Sequence, residues 1–244
     1  MRAPFFKFVL SACALPMLAH AAQTQAINPV ADTFVTSGNP TGNFGAAGGL
    51  GISAPGSSTG EFQSVMRFDL AATKAAFDTT FGAGNWQLTS ASLKLTAATP
   101  NNAIFNANAA GQLAVRWMQD DSWVEGAGMP STPSAVGVNF NTLPAFLANG
   151  VTPLGNFAFP GGNSGSTSNA LSLPANFTND VSAGSLVSLH LLSADAAVSY
   201  LFNSRTFGTA TSRPELSITA DAIPEPAATA IIGLAIPLLR RRTK

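Results

Sequence analysis

The chain has 244 residues, 46% of them hydrophobic and 10% charged, with a formal net charge of zero, which excludes a disordered polymer and points to one globular domain with appended segments. Between Gln23 and Ala222 only six basic residues (Arg67, Lys74, Lys94, Arg116, Arg205, Arg213) face eleven acidic ones, a net of −5. An acidic body repels phosphate backbones, so nucleic acid is excluded as a partner.

At the start, Arg2 and Lys7 precede an apolar segment from Phe8 to Leu18, and Ala19-His20-Ala21 follows as a small-residue cleavage site. Residues 1–22 therefore read as a secretory signal helix, removed near Ala21 or Ala22. A rival lipoprotein-type cut at Leu10 to Cys13 would leave an apolar core of only Phe8 to Ala12, short of the roughly 7 to 15 residues such a core needs. Cleavage near Ala21 removes Cys13, the only cysteine, so the mature chain has no disulfide and no thiol ligand or nucleophile.

From Gln23 onward the dominant period is two. In "SVMRFDL", Met66, Phe68 and Leu70 share one face while Val65, Arg67 and Asp69 share the other; in "SASLKLTA", Ala91, Leu93, Leu95 and Ala97 alternate with Ser92, Lys94 and Thr96. Further strands are predicted at Leu113 to Met118, Gly137 to Phe140, Leu171 to Leu173, Ser185 to Leu192, Val198 to Phe202 and Glu215 to Ala220. Loops such as "GNPTGNFGAAGG" and "FPGGNSGSTSN" carry the Gly, Asn and Pro of turns. One short helix is predicted at "AATKAAF" and another at "PANFTNDVSAG", where Pro174 stands near the start and Gly184 after the end. The expected fold is all-β, an antiparallel β-sandwich of jelly-roll type with one or two short helices. To it are added the N-terminal signal helix and a C-terminal hydrophobic helix.

The densest set of candidate site residues is "RWMQDDSWVEG", Arg116 to Gly126. Trp117 and Trp123 flank Asp120, Asp121 and Glu125, equipment for stacking a sugar ring and accepting its hydroxyl protons, or for offering oxygens to Ca²⁺. The same pattern also suits core tryptophans beside a solvated acidic loop. Arg67 and Arg205 could clamp a uronic-acid carboxylate in a bidentate way, or form internal ion pairs with Asp32 or Asp69. His190, the one histidine outside the signal, alternates away from Val187, Leu189 and Leu191, and alone it builds neither a zinc site nor a serine triad. No catalytic set is assigned, although Asp120, Asp121 and Glu125 leave a carboxylate-pair enzyme open.

"WVEG" followed by "GVNFNTLPAF" resembles the W-x-E and V-T-W-N-x-x-P segments of DNRLRE, or disaggregatase-related, domains. "ADTFVTSGNPTGNFG", "SVMRFDL", "LTSASLKLTA" and "YLFNSRTFGTATSRPELSITA" agree with that family in order, so the resemblance spans Asp32 to Ala220. It implies a secreted β-sandwich module, often attached to polysaccharide-active proteins, some members binding acidic polysaccharides such as alginate. The chain departs from the pattern at Phe140, where the family commonly has Trp, and at Thr206, where an acid commonly follows the Arg.

The end of the chain changes character. Pro224-Glu225-Pro226 precedes an apolar run from Ala227 to Leu239, then Arg240, Arg241 and Arg242. Thirteen residues make about 20 Å of helix, short of a bilayer core of about 30 Å. Gly233, Pro237 and the arginines suit a core helix poorly. These three ordered parts resemble the PEP-CTERM sorting signal of Gram-negative bacteria. That resemblance implies a transient inner-membrane hold through the C-terminal helix, processing by an exosortase-type enzyme, and delivery to the outer surface or exopolysaccharide matrix.

The expected organisation is thus a signal peptide over residues 1–22, a DNRLRE-like sandwich over 23–221 and a sorting signal over 222–244. The expected function is an exported, non-catalytic matrix or cell-surface protein, carbohydrate-associated or structural, with no cofactor unless Ca²⁺ binds. The alternative is a small polysaccharide lyase or glycoside hydrolase acting on acidic glycans.

Overall fold

The computed structural model describes residues 21–98, 105, 109–196 and 198–224. The expected signal helix falls outside the described residues but for Ala21 and Ala22, and the expected C-terminal hydrophobic helix falls outside them entirely. Of the sorting motif only Pro224 is described; Glu225, Pro226, Arg240, Arg241 and Arg242 are not.

Among the described residues the fold is mostly β, with two antiparallel sheets and three short α-helices. A four-stranded sheet has the order β1 (Gln23–Ile27), β11 (Glu215–Ala222), β5 (Trp86–Thr96), β8 (Ser166–Leu171). The second sheet runs β10 (Ser199–Asn203), β3 (Gly49–Ser53), β4 (Phe62–Asp69), β9 (Leu186–Ser193), β6 (Gly111–Met118), β7 (Val151–Phe159), and β2 (Ala31–Thr36) also pairs with β4. Because Gln23 pairs with Ala220 in the antiparallel β1–β11 ladder, the start of the first strand and the end of the last lie side by side.

The alternating stretches lie where period two places them. Met66, Phe68 and Leu70 join Leu93, Leu95, Leu113, Val115, Leu189, Leu191, Leu216 and Ile218 in one core fed by both sheets. On the opposite face of the four-stranded sheet stand Ser90, Ser92, Ser217 and Thr219, with Lys94 paired to Glu215 at 2.9 Å. This face is polar, with Asp221 of β11 adding a further carboxylate beside Gln87, as befits a sheet covered on one side only.

Helix α1 (Ala71–Phe81) forms from the expected "AATKAAF" and continues to Phe81 because Phe77 and Phe81 meet Trp86 and the main core. Helix α3 (Ala175–Ala183) ends as expected at Gly184, whose φ of +68° is the left-handed conformation glycine adopts freely. Helix α2 (Leu143–Ala148) was not expected.

Three expectations are corrected. Gly137 to Phe140 forms no strand: Gly137 has φ +108°, and Asn139 and Thr142 exchange side-chain to backbone hydrogen bonds of 3.0 Å that set up α2. The strand expected at Leu171 to Leu173 lies earlier, as β8, because Ser166 to Leu171 pair with β5 despite their loop-like composition. The transmembrane helix, the membrane association it was to provide and the inner-membrane hold are withdrawn, since among the described residues no helix is long and apolar enough to cross a membrane. The longest, α1, has 11 residues, about 17 Å at 1.5 Å each, and carries Lys74 and Asp78.

Phe77 is fully buried 5.0 Å from Trp86. Phe77→Ala is expected to cost about 3 to 5 kcal/mol in urea unfolding; a loss under about 1 kcal/mol would show that α1 is dispensable to the core.

Candidate functional site

The expected site residues fall on the connection between β6 and β7, residues 119–150, and on the strands beneath it. Paired strands β6 and β7 form a long-looped hairpin, closed at its base by Gln119 N–H donating to Gly150 O at 3.0 Å. The connection covers the outer face of the larger sheet. There Trp123, Val138 and Leu143 pack with Ala31, Val35, Val65 and Met118 in a second apolar cluster, with Phe140, Phe146 and Leu147 at its margin. Val65 is therefore as buried as Met66 beside it.

Asn43 pins this cover. Its Nδ2 donates to Glu125 O at 2.7 Å and Val138 O at 2.8 Å, while its Oδ1 accepts from Gly45 N at 3.1 Å and Gly128 N at 3.3 Å. A fully buried amide is tolerated because both ends of it are satisfied. The approach is so close that a Cβ on Gly128 would lie 1.8 Å from the carbonyl oxygen of Asn43.

Trp123 is 1% exposed, and its Nε1 donates to Ser188 Oγ at 2.9 Å. The guanidinium of Arg67 sits 4.9 Å from the ring centroid, and its Nη1 donates to the carbonyls of Asp121 at 2.6 Å and Trp123 at 2.8 Å. Trp123 offers no open face for a sugar, and Arg67 is held by cation–π and backbone contacts, with its Nε buried and without a hydrogen-bond partner. Trp117 lies in the main core, where its Nε1 donates to Asp180 at 2.8 Å.

The carboxylates go separate ways. Asp120 lies at the surface, accepting from Ser122 N, Ser122 Oγ and Asn149 Nδ2 at 2.8, 2.6 and 2.7 Å; the Ser122 bonds lower its pKa. Asp121 is half-buried, and burial raises its pKa against the opposing bonds from Ser188. Glu125 is consumed by Arg205: Arg205 Nε donates to Oε1 at 2.7 Å and Nη2 to Oε2. Oε1 also accepts from Asp32 N at 2.9 Å, and Asp32 Oδ2 accepts from Arg205 N at 2.6 Å. Asp32 is 1% exposed, and burial above all pushes its pKa up to about 7.

No protein-family model matches the chain, and no curated protein matches it significantly. Among the described residues no group of three or more His, Cys, Asp or Glu is placed to hold a metal ion. The structure thus joins Arg205 with Glu125 and Arg67 with Trp123 and Asp121, and leaves Asp120 apart. Asn43, Ser188 and Asp32 complete these contacts. Asn43 and Ser188 carry no sequence signal beyond a turn-rich loop and a strand.

His190 lies on the outward face of β9, as its alternation requires, yet it is 1% exposed. Gln63 Nε2 donates to Glu61, which presents Gln63 Oε1 to His190 Nε2 at 2.7 Å and makes the imidazole the donor there. Burial first, then Arg116, lowers the His190 pKa to about 3. The unfolded chain takes up this proton below 6.5 and the folded chain only below about 3, so the stability contributed at neutral pH is lost as pH falls through that window.

Two outcomes are expected. The His190 ring resonances should not titrate between pH 7.5 and 4.5 by NMR, and a midpoint near the ordinary 6.5 would contradict the burial argument. Gly128→Ala should displace the cover, raising Trp fluorescence quenching by acrylamide, while far-ultraviolet circular dichroism stays that of the two sheets; unchanged quenching would show that the Asn43 contact yields.

Proposed function

We propose that this chain is an exported, non-catalytic protein of the cell surface or exopolysaccharide matrix, carbohydrate-associated or structural in role. Its body is read as a DNRLRE-like sandwich closed as a jelly roll, with the PEP-CTERM-like tail directing sorting by an exosortase-type enzyme. One observation supports the non-catalytic part. Both oxygens of Glu125, the acid best placed for chemistry by its sequence neighbours, accept from Arg205, and Trp123 beside it is buried. A general acid needs a free, titratable oxygen facing substrate, and a stacking tryptophan needs an open ring; here both are committed to bracing the fold. The hydroxyl-bearing outer face of the four-stranded sheet agrees with weak contact to sugars.

Protein recovered from native cells and medium is the material for the test. It should be retained on native matrix polysaccharide or on alginate, in the presence or absence of Ca²⁺, without generating reducing ends or unsaturated products. Absence of retention on all of them overturns the carbohydrate association, and product formation establishes the lyase or hydrolase instead. Intact-mass measurement of the same material should show a chain beginning near Gln23 and lacking Arg240 to Lys244; a mature chain that keeps those residues overturns the sorting reading.

A further inference from the structure

The contact that joins Asp32, Glu125 and Arg205 has unequal charges. Asp32 stands at the start of β2, Glu125 on the cover and Arg205 on the loop after β10, so one residue serves two carboxyl groups from remote stretches of chain, Glu125 through its guanidinium and Asp32 through its backbone N–H. Asp32 is 1% exposed, and the Glu125 side chain 16%. The Arg205 side chain is 32% exposed, but the second carboxyl group, that of Asp32, is shut off from water, and an ionised Asp32 beside an ionised Glu125 is costly unless a proton is retained.

The remaining charged group nearby does not correct the balance. Arg67, on β4 opposite Ala31, is turned toward the Trp123 ring and the Asp121 and Trp123 carbonyls. The charged groups that act on Asp32 are Glu125, which disfavours its ionisation, and Arg205, which favours it; burial outweighs both.

We propose that Asp32, Glu125 and Arg205 form an acid-closed latch on the cover segment 119–142, which loosens as the medium turns alkaline and exposes Trp123. In the closed state Asp32 is neutral and the single full ion pair is Arg205 with Glu125. On ionisation Asp32 becomes a second negative charge beside Glu125, and the Glu125 carboxylate that accepts from Asp32 N–H is then repelled by the Asp32 side chain. Glu125 ties the cover to β2 by the hydrogen bond from Asp32 N–H and to the Arg205 loop by the ion pair, so weakening it acts on the segment that buries Trp123. The folded protein keeps a proton that the unfolded chain has lost between 3.8 and about 7, so this contribution falls as pH rises through that window. The sign is opposite to that of His190, so the two offset each other in a global melting curve and a local readout is required. The latch does not depend on the proposed function.

Amide hydrogen exchange of the full chain, read by mass spectrometry at pH 5.5 and 8.5 and corrected for intrinsic rates, tests it. Protection of residues 119–142 should fall by at least about tenfold at the higher pH, the equivalent of one pK unit. In Asp32→Asn, which keeps an acceptor for Arg205 N–H but no titrating group, protection should be the same at both values. Equal protection in the wild type, or an equal fall in the variant, overturns the latch. The Asp32 carboxyl carbon, followed by NMR in the wild type, gives a test that does not need the variant to fold: a midpoint near 7 supports the latch, and one near 4 overturns it.

Discussion

Arg205 ties together stretches of chain that no local interaction could bring near one another. Its backbone N–H reaches Asp32, 173 residues away, and its side chain reaches Glu125, 80 residues away. Such contacts close long loops, and their chain-entropy cost is met only when the partners are fixed by packing on either side. Here that packing is supplied by the second apolar cluster around Trp123 and Val65. The bidentate geometry requires arginine, since a lysine ammonium cannot present two parallel donors to Glu125.

The cover explains why one sheet behaves differently from the other. The four-stranded sheet keeps a polar outer face, and its strands read as clean alternation. The larger sheet is covered outside by residues 119–150, so β4 carries buried residues on both faces. Holding a segment without regular strand pairing against a sheet leaves many backbone polar groups to satisfy. Asn43, Arg67 and Asn139 do this with side chains, bonding carbonyls and N–H groups of the cover one by one.

What could be read in advance follows from the same division. β4, β5, β6, β9 and β11 were legible because each sends alternate residues into the main core. β2 was hidden because all six of its residues are buried, so it has no period, and β3 because Gly49 and Gly51 give it a loop's composition; a Cβ on Gly51 would meet Phe105 at 2.8 Å and Phe62 at 2.9 Å. Val138 and Phe140 alternate like a strand only because one surface of the cover faces the cluster beneath it. The Trp, Asp and Glu of the cover were legible as an unusual group, and core tryptophans and internal ion pairs of Arg67 or Arg205 were among its readings, but the pairing of Arg205 with Glu125 was not. Ligand-binding and internal clamping use the same side chains, and the deciding partners, Asp32 and Arg205, are distant in sequence.

The antiparallel pairing of β1 with β11 gives the molecule a polarity. The start of β1 and the end of β11 lie at one pole of this ladder, because Gln23 lies opposite Ala220. At the other end of that ladder Ile27 lies opposite Leu216, and Asn28 donates to Pro214 O at 2.7 Å, four residues along the chain from Asp32. The first and last strands of the described chain therefore begin and end together, at the end of the ladder away from the stretch that leads to Asp32.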